Sequence, residues 1–257
     1  MHFDVYISSK IKDDLKEVVN IANRQGLNIE LKGFVKNRDL DNLDALLPVY
    51  KDALKGFNGK LALHGAYQKV NPVSKNPEKR EFTIYRYSQS VEIAIILNVK
   101  TIVFHTGYDS FRRWPETGWF IDEQVEFWKS FIKKLDGTDI IIVLENTDER
   151  KPEILIKIVD RVKSEKLKLC IDTGHVNHKT YMTVKEWIEK EGNRLYHMHL
   201  HNNYKVLDDH NSLLKGTIDF KEVFETLKEN NLTPNLSLEI TDYEATMESL
   251  EFMRGQL

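Results

Sequence analysis

A chain of 257 residues with 41% hydrophobic and 30% charged side chains has enough apolar mass for a sizeable core, which excludes a disordered protein. Lys and Arg number 37 against 40 Asp and Glu, a formal charge of −3, so no global basic field exists to hold a nucleic-acid backbone. Binding to DNA would need a local patch or a bound metal. The one cysteine, Cys170, has no internal disulfide partner and sits in an apolar run at 167–171, where it reads as a small buried hydrophobe in a reducing compartment. The N-terminus lacks a basic segment followed by an apolar one, and no apolar run approaches the roughly 18 residues needed to span a bilayer. A soluble, cytoplasmic protein without a membrane partner is expected, and no obligate protein partner is evident.

Along the chain, short β-rich runs alternate with amphipathic stretches. A strand is expected at 4–8, followed by a helix that Asp13 or Asp14 can cap, with Leu15, Val18, Val19 and Ala22 on its apolar face and Gly26 as its stop. The second strand, at 27–34, carries Glu30 and precedes a helix near 40–54. Further strands read at 60–64, 101–105, 139–145, 167–172, 195–200 and 236–240, with helices near 78–97, 122–135, 152–163, 184–191, 219–230 and 243–253. Loops of some length follow the third strand (68–77), the fourth (109–120) and the seventh (202–217). Strands separated by helices imply right-handed crossovers and a parallel sheet. Eight such units in this length predict an α/β fold, a single (β/α)8 barrel domain over 1–257. The rival open doubly wound sheet would show a glycine-rich turn after an early strand, whereas the first strand runs into Ser8-Ser-Lys-Ile11.

A barrel of this kind keeps its active site at the C-terminal ends of the strands. From the third strand onward those positions, or the turns just after them, hold His64, His105, Glu145, Asp172, His175, His199, Asp208, His210 and Glu239. Any one strand-end histidine is more often a hydrogen-bonded structural residue than a ligand. Together, four carboxylates and five imidazoles with no Lys or Arg at matching positions call for an outside positive charge, for which divalent cations are the natural source. His197 and His201 flank His199 at period two and share its side of an extended strand; His201 could line the site, while His197 lies one layer deeper as a core residue. In the loop after the fourth strand, Arg112 and Arg113 beside Trp114 could meet phosphate and stack on a base, the bland alternative being a solvated loop.

These residues stand in the motifs Leu63-His-Gly-Ala-Tyr67, Phe104-His-Thr-Gly-Tyr108, Leu144-Glu-Asn-Thr147, Ile171-Asp-Thr-Gly-His175, Met198-His-Leu200, Asp208-Asp-His210 and Leu238-Glu-Ile240. The ordered set resembles the xylose isomerase-like TIM-barrel superfamily, and within it most nearly the endonuclease IV (AP endonuclease family 2) zinc enzymes. That resemblance implies up to three Zn2+ on the nine residues, with Glu145 bridging two ions, His64 and His105 near one, and His175, Asp208 and His210 completing another. It further implies a phosphoester hydrolase cutting damaged duplex DNA at abasic sites, a hydroxide held and oriented by Glu145 and Glu239 attacking phosphorus, and Tyr67 entering the duplex. The chain departs from the pattern in Tyr6-Ile7-Ser8 for His-Val-Ser, in Asp148-Glu-Arg-Lys151 for a small glycine-containing turn, in Ser212-Leu-Leu-Lys-Gly216, and in Gln68 where an apolar residue would follow Tyr67. Other features resemble sugar isomerases and epimerases of the same superfamily: Glu30 on the second strand, 172–177 and 199–203. That branch implies one divalent ion, Mn2+ or another, on Glu145, Asp172, His199 and Glu239, a sugar or sugar-phosphate substrate, and Glu145 with Glu239 as the proton-transfer pair. Three ions with the four carboxylates and a hydroxide leave a cationic mouth suited to a phosphodiester, whereas one ion with three carboxylates leaves an anionic mouth suited to a neutral sugar.

Overall fold

The structure is a computed structural model that describes residues 1–110 and 114–257, and of residues 114–116 the backbone alone. The described strands are β1 Val5–Ser8, β2 Asn28–Leu31, β3 Leu61–His64, β4 Thr101–His105, β5 Ile141–Glu145, β6 Leu167–Asp172, β7 Leu195–Leu200 and β8 Asn235–Leu238. They pair in parallel in chain order, and β8 returns to β1 to close the barrel. The helices are α1 Leu15–Gln25, α2 Asn37–Leu40, α3 Leu43–Ala53, α4 Pro77–Leu97, α5 Trp114–Phe131, α6 Glu153–Val162, α7 Thr173–Lys179, α8 Val184–Glu191, α9 Phe220–Glu229 and α10 Tyr243–Gln256. The chain is a (β/α)8 barrel, as its alternation of elements predicts. No helix among the described residues is long and apolar enough to cross a membrane.

Strand alternation sorts the side chains. On β7, Met198 and Leu200 face outward into the main apolar core between barrel and helices, so His197 and His199 face the interior. Val103, Val143 and Cys170 form a separate small cluster inside the barrel, two residues before His105, Glu145 and Asp172 on the same strands. These three strands therefore carry an apolar plug below a polar mouth. Asp14 caps α1 by accepting from the Lys16 N–H at 2.9 Å, and Gly26, at φ 67°, ends it in the left-handed conformation that costs a glycine least.

Two helices differ from the sequence expectation. Helix α5 starts at Trp114, inside the stretch expected to be loop up to residue 120; a proline in a first helical turn forfeits no intrahelical bond. The short α7 follows β6 directly, although Gly174 and Asn177 are weak helix formers. Asp172 starts it by accepting from the His175 N–H at 2.7 Å. One carboxylate thus ends a strand, caps a helix and lifts His175 into the mouth.

Candidate metal centre

Closure of the barrel gathers all nine predicted strand-end residues around one opening. Glu145, at the end of β5, is buried at its centre. Its Oε2 lies 3.4 Å from His64 Nε2, 3.2 Å from His105 Nε2 and 3.5 Å from His199 Nδ1, and its Oε1 lies 3.4 Å from His175 Nδ1. Asp208 Oδ2 stands 3.2 Å from His175 Nε2 and 3.3 Å from His210 Nε2. Glu239, just past β8, places Oε2 2.7 Å from His199 Nδ1. Their metal roles belong to the proposal below.

The imidazoles are held in place from behind. His64 Nδ1 donates to the Gly65 carbonyl at 3.1 Å, His175 Nδ1 to that of Asn146 at 2.8 Å and His210 Nδ1 to that of Glu239 at 2.8 Å. With that nitrogen tied, each ring turns Nε2 toward a carboxylate. His199 is reversed: Nε2 faces Glu30 and Nδ1 faces Glu145, Asp172 and Glu239. His201 is more deeply engaged than its sequence position suggests. Its Nε2 donates to both Asp172 oxygens at 3.1 Å, and its ring stacks on His210 at 3.9 Å. A Cβ at Gly174 would fall 1.9 Å from His201 Cε1, so only glycine lets that ring lie flat against α7. His197, one layer deeper, donates to Glu30 at 3.1 Å and meets Tyr6 edge-on.

One expectation is corrected. Lys32, immediately after β2, extends its ammonium into the mouth, forms an ion pair with Glu239 Oε1 and lies 3.5 Å from Glu30 Oε1. The mouth therefore has a cation of its own. The pattern Ile29-Glu-Leu-Lys32 contains the signal, because Ile29 and Leu31 belong to the outer core and the alternate positions must face inward. Glu30 and Lys32 cancel one another, which leaves the charge difference between one-ion and three-ion sites unchanged.

Electrostatics follow from this crowding. Burial opposes ionisation of Glu145, but His105 and His199 outweigh it and hold its pKa well below the carboxylate range. For Glu239, burial is likewise overcome by His199 and Lys32. Burial lowers the pKa of His199, yet Glu239 and Glu30 raise it well above the usual imidazole value. His210 rises to about 9, burial being offset by Asp208 and Glu239. The crowded carboxylates and imidazoles thus favour one another's charged forms.

Tyr67 stands at the rim, its ring stacked on His105 at 5.7 Å and edge-on to His64 at 5.5 Å, with 42% of its surface exposed. Arg112 and Arg113 lie outside the described residues.

Ligand atoms of Glu145, Asp172, His199 and Glu239 all fall within 4.8 Å of one another. His199 Nδ1 and Glu239 Oε2 are buried and form an ion pair at 2.7 Å. The pair shares its space with Glu145 and Asp172, and that donor set of carboxylates and one imidazole fits a cation. Three carboxylates and one imidazole suit Zn2+ or Mn2+. Separate groupings, His64 with His105 and Glu145, and His201 with His210 and Glu239, are equally compact.

Comparison with known proteins places this geometry. The chain is 32% identical over 243 residues to an uncharacterised protein of Methanocaldococcus jannaschii, covering 88% of this chain and 83% of that one. It is 22% identical over 240 residues to the probable endonuclease 4 of Mycoplasmopsis pulmonis, covering 85% and 84% respectively. A solved D-tagatose 3-epimerase-like protein superposes with a TM-score of 0.81 at 23% identity over 99% of this chain and 97% of that one. The family pattern described as xylose isomerase-like TIM barrel matches residues 28–256, and the chain belongs to that family.

Proposed function

We propose that the protein is a divalent-metal-dependent isomerase or epimerase of a small polyhydroxy carbonyl compound, a ketose or its phosphate. The observation that carries this reading is the clustered set of buried Glu145, Asp172 and His199 with half-buried Glu239, joined at Glu239 by the ammonium of Lys32. The likeness to an epimerase-like fold agrees with it. A bound ion would supply polarisation of the substrate's carbonyl and hydroxyl oxygens, acidifying the adjacent C–H.

The remaining work falls to the chain. Glu145 and Glu239 come from the ends of different strands, and the pKa of each is held well below the usual carboxylate range. One carboxylate takes the proton from the carbon next to the carbonyl; the other, protonated from solvent, delivers that proton to the opposite face for epimerisation, and the first releases its own to solvent. Lys32 offers its ammonium to the substrate oxygen that gains negative charge. Tyr67 and His201 border the space where a sugar ring or chain would lie, and His64 and His105 line the wall next to Glu145.

Deuterium exchange tests this. The Mn2+-reconstituted protein is incubated in D2O with a panel of ketoses and ketose phosphates, and label is expected at the carbon next to the carbonyl. Glu145→Gln should abolish that exchange while the barrel stays folded. Absence of exchange across the panel, with cleavage of a phosphodiester by the same preparation, overturns the reading.

A second reading rests on its own observation. His64, His105, His175, Asp208 and His210 crowd the same mouth beyond what one ion requires. Up to three Zn2+ on the full set would make a phosphoester hydrolase, with abasic duplex DNA as the first substrate to try and Arg112 and Arg113 as candidate phosphate contacts. Elemental analysis separates the two: a content near one ion per chain supports the isomerase, and near three supports the hydrolase.

A further inference from the structure

Strand β2 supplies none of the nine residues, yet its Glu30 supports one of them, His199. In the rings of His64 and His210 the nitrogen turned away from the carboxylates donates to a backbone carbonyl, and His175 Nδ1 donates to one while also lying 3.4 Å from Glu145 Oε1. In His199 it faces a carboxylate, that of Glu30, fully buried at the floor of the mouth. Glu30 Oε2 accepts from His197 Nε2 at 3.1 Å and from His199 Nε2 at 3.2 Å. Both rings therefore carry a proton on Nε2, which leaves Nδ1 of each to face something else.

The two rings then differ. Nδ1 of His197 is buried without a partner one layer below the mouth, whereas Nδ1 of His199 points at Glu239, Glu145 and Asp172. The Lys32 ammonium spans Glu30 and Glu239, so the additional buried carboxylate is not left without a counter-charge.

We propose that Glu30 is a positioning residue of the metal centre: by holding the Nε2 proton of His199 it commits Nδ1 to a divalent ion. A carboxylate in this place also raises the electron-donating power of the ring more than a carbonyl would. The proposal rests on the reading that Glu145, Asp172, His199 and Glu239 hold an ion, and it applies whether the chemistry is isomerisation or hydrolysis.

The test is calorimetric titration of the metal-free full chain with Mn2+, wild type beside Glu30→Gln, together with the melting temperature of each metal-free protein. The variant should bind Mn2+ roughly 10- to 100-fold more weakly while its metal-free melting temperature stays close to that of wild type. An unchanged affinity overturns the proposal. Nitrogen-15 spectra of the zinc-loaded wild type provide a readout that does not depend on the variant folding: Nδ1 of His199 should be the bound nitrogen and Nε2 the protonated one. The opposite assignment also overturns it. A wild type that takes up neither Mn2+ nor Zn2+ would remove the metal reading itself, an outcome distinct from equal binding by wild type and variant.

Discussion

His199 Nδ1 on β7 and Glu239 Oε2 just past β8 are 2.7 Å apart, buried, and ion-paired with each other. Neighbouring strands bring them together, while Glu30 behind the one and Lys32 behind the other keep them facing the same space. A divalent cation facing both would take over from the imidazolium as the counter-charge of the carboxylate. That relationship makes the centre accessible to simple measurements.

An ion that binds only the folded state stabilises it by mass action. Mn2+ at 100 times its Kd should add about 2.7 kcal/mol, a rise of roughly 5–10 °C in melting temperature for a chain of this length. His199→Ala should lose most of that rise. If wild type and variant shift equally in differential scanning fluorimetry, the ion sits elsewhere.

Without metal, the pair of His210 and Asp208 should make stability depend on pH. The folded pKa of His210 is raised to about 9, so its contribution is complete below the ordinary imidazole value near 6.5 and is lost as pH rises through 9. Urea midpoints in EDTA at pH 6, 7.5 and 10 should fall over the upper interval in wild type and fall less in His210→Gln. Parallel curves would show that the pair does not contribute.

Lys32→Met should keep the number of bound Mn2+ ions and lower the rate of deuterium exchange by about 10²–10³, the loss typical when one electrostatic donor leaves an active site. Kinetics under saturating metal would read it. A variant with wild-type exchange would confine Lys32 to neutralising Glu239.

Away from the mouth, Glu191 at the end of α8 is fully buried with neither carboxylate oxygen hydrogen-bonded, and burial pushes its pKa well above the usual range despite Arg194. A carboxyl whose folded pKa is raised contributes most below its unfolded pKa and loses that contribution as pH rises through the folded value. Glu191→Met should therefore stabilise the protein by about 1–3 kcal/mol at pH 8 and flatten the decline between pH 5 and 8. A destabilised Met variant at pH 8 would mean that the carboxylate has a partner worth keeping.

Much of this protein is determined by local sequence. The eight strands fall at or within the predicted runs apart from Asn235, because period-two alternation and flanking caps are short-range signals, and Asp14 with Gly26 bounds α1 as its residues dictate. That His64, His105, Glu145, Asp172, His199 and Glu239 share one end of the barrel follows from strand direction alone, since parallel strands carry every C-terminal end to the same face. Tertiary structure decided the rest. Whether His199 offers Nδ1 or Nε2 depends on Glu30, 169 positions away in sequence, and the charge of the mouth depends on Lys32 meeting Glu239, 207 positions away. Side-chain direction at a strand end is set by what the closed barrel places opposite it, and contacts between distant strands are not encoded in any local pattern.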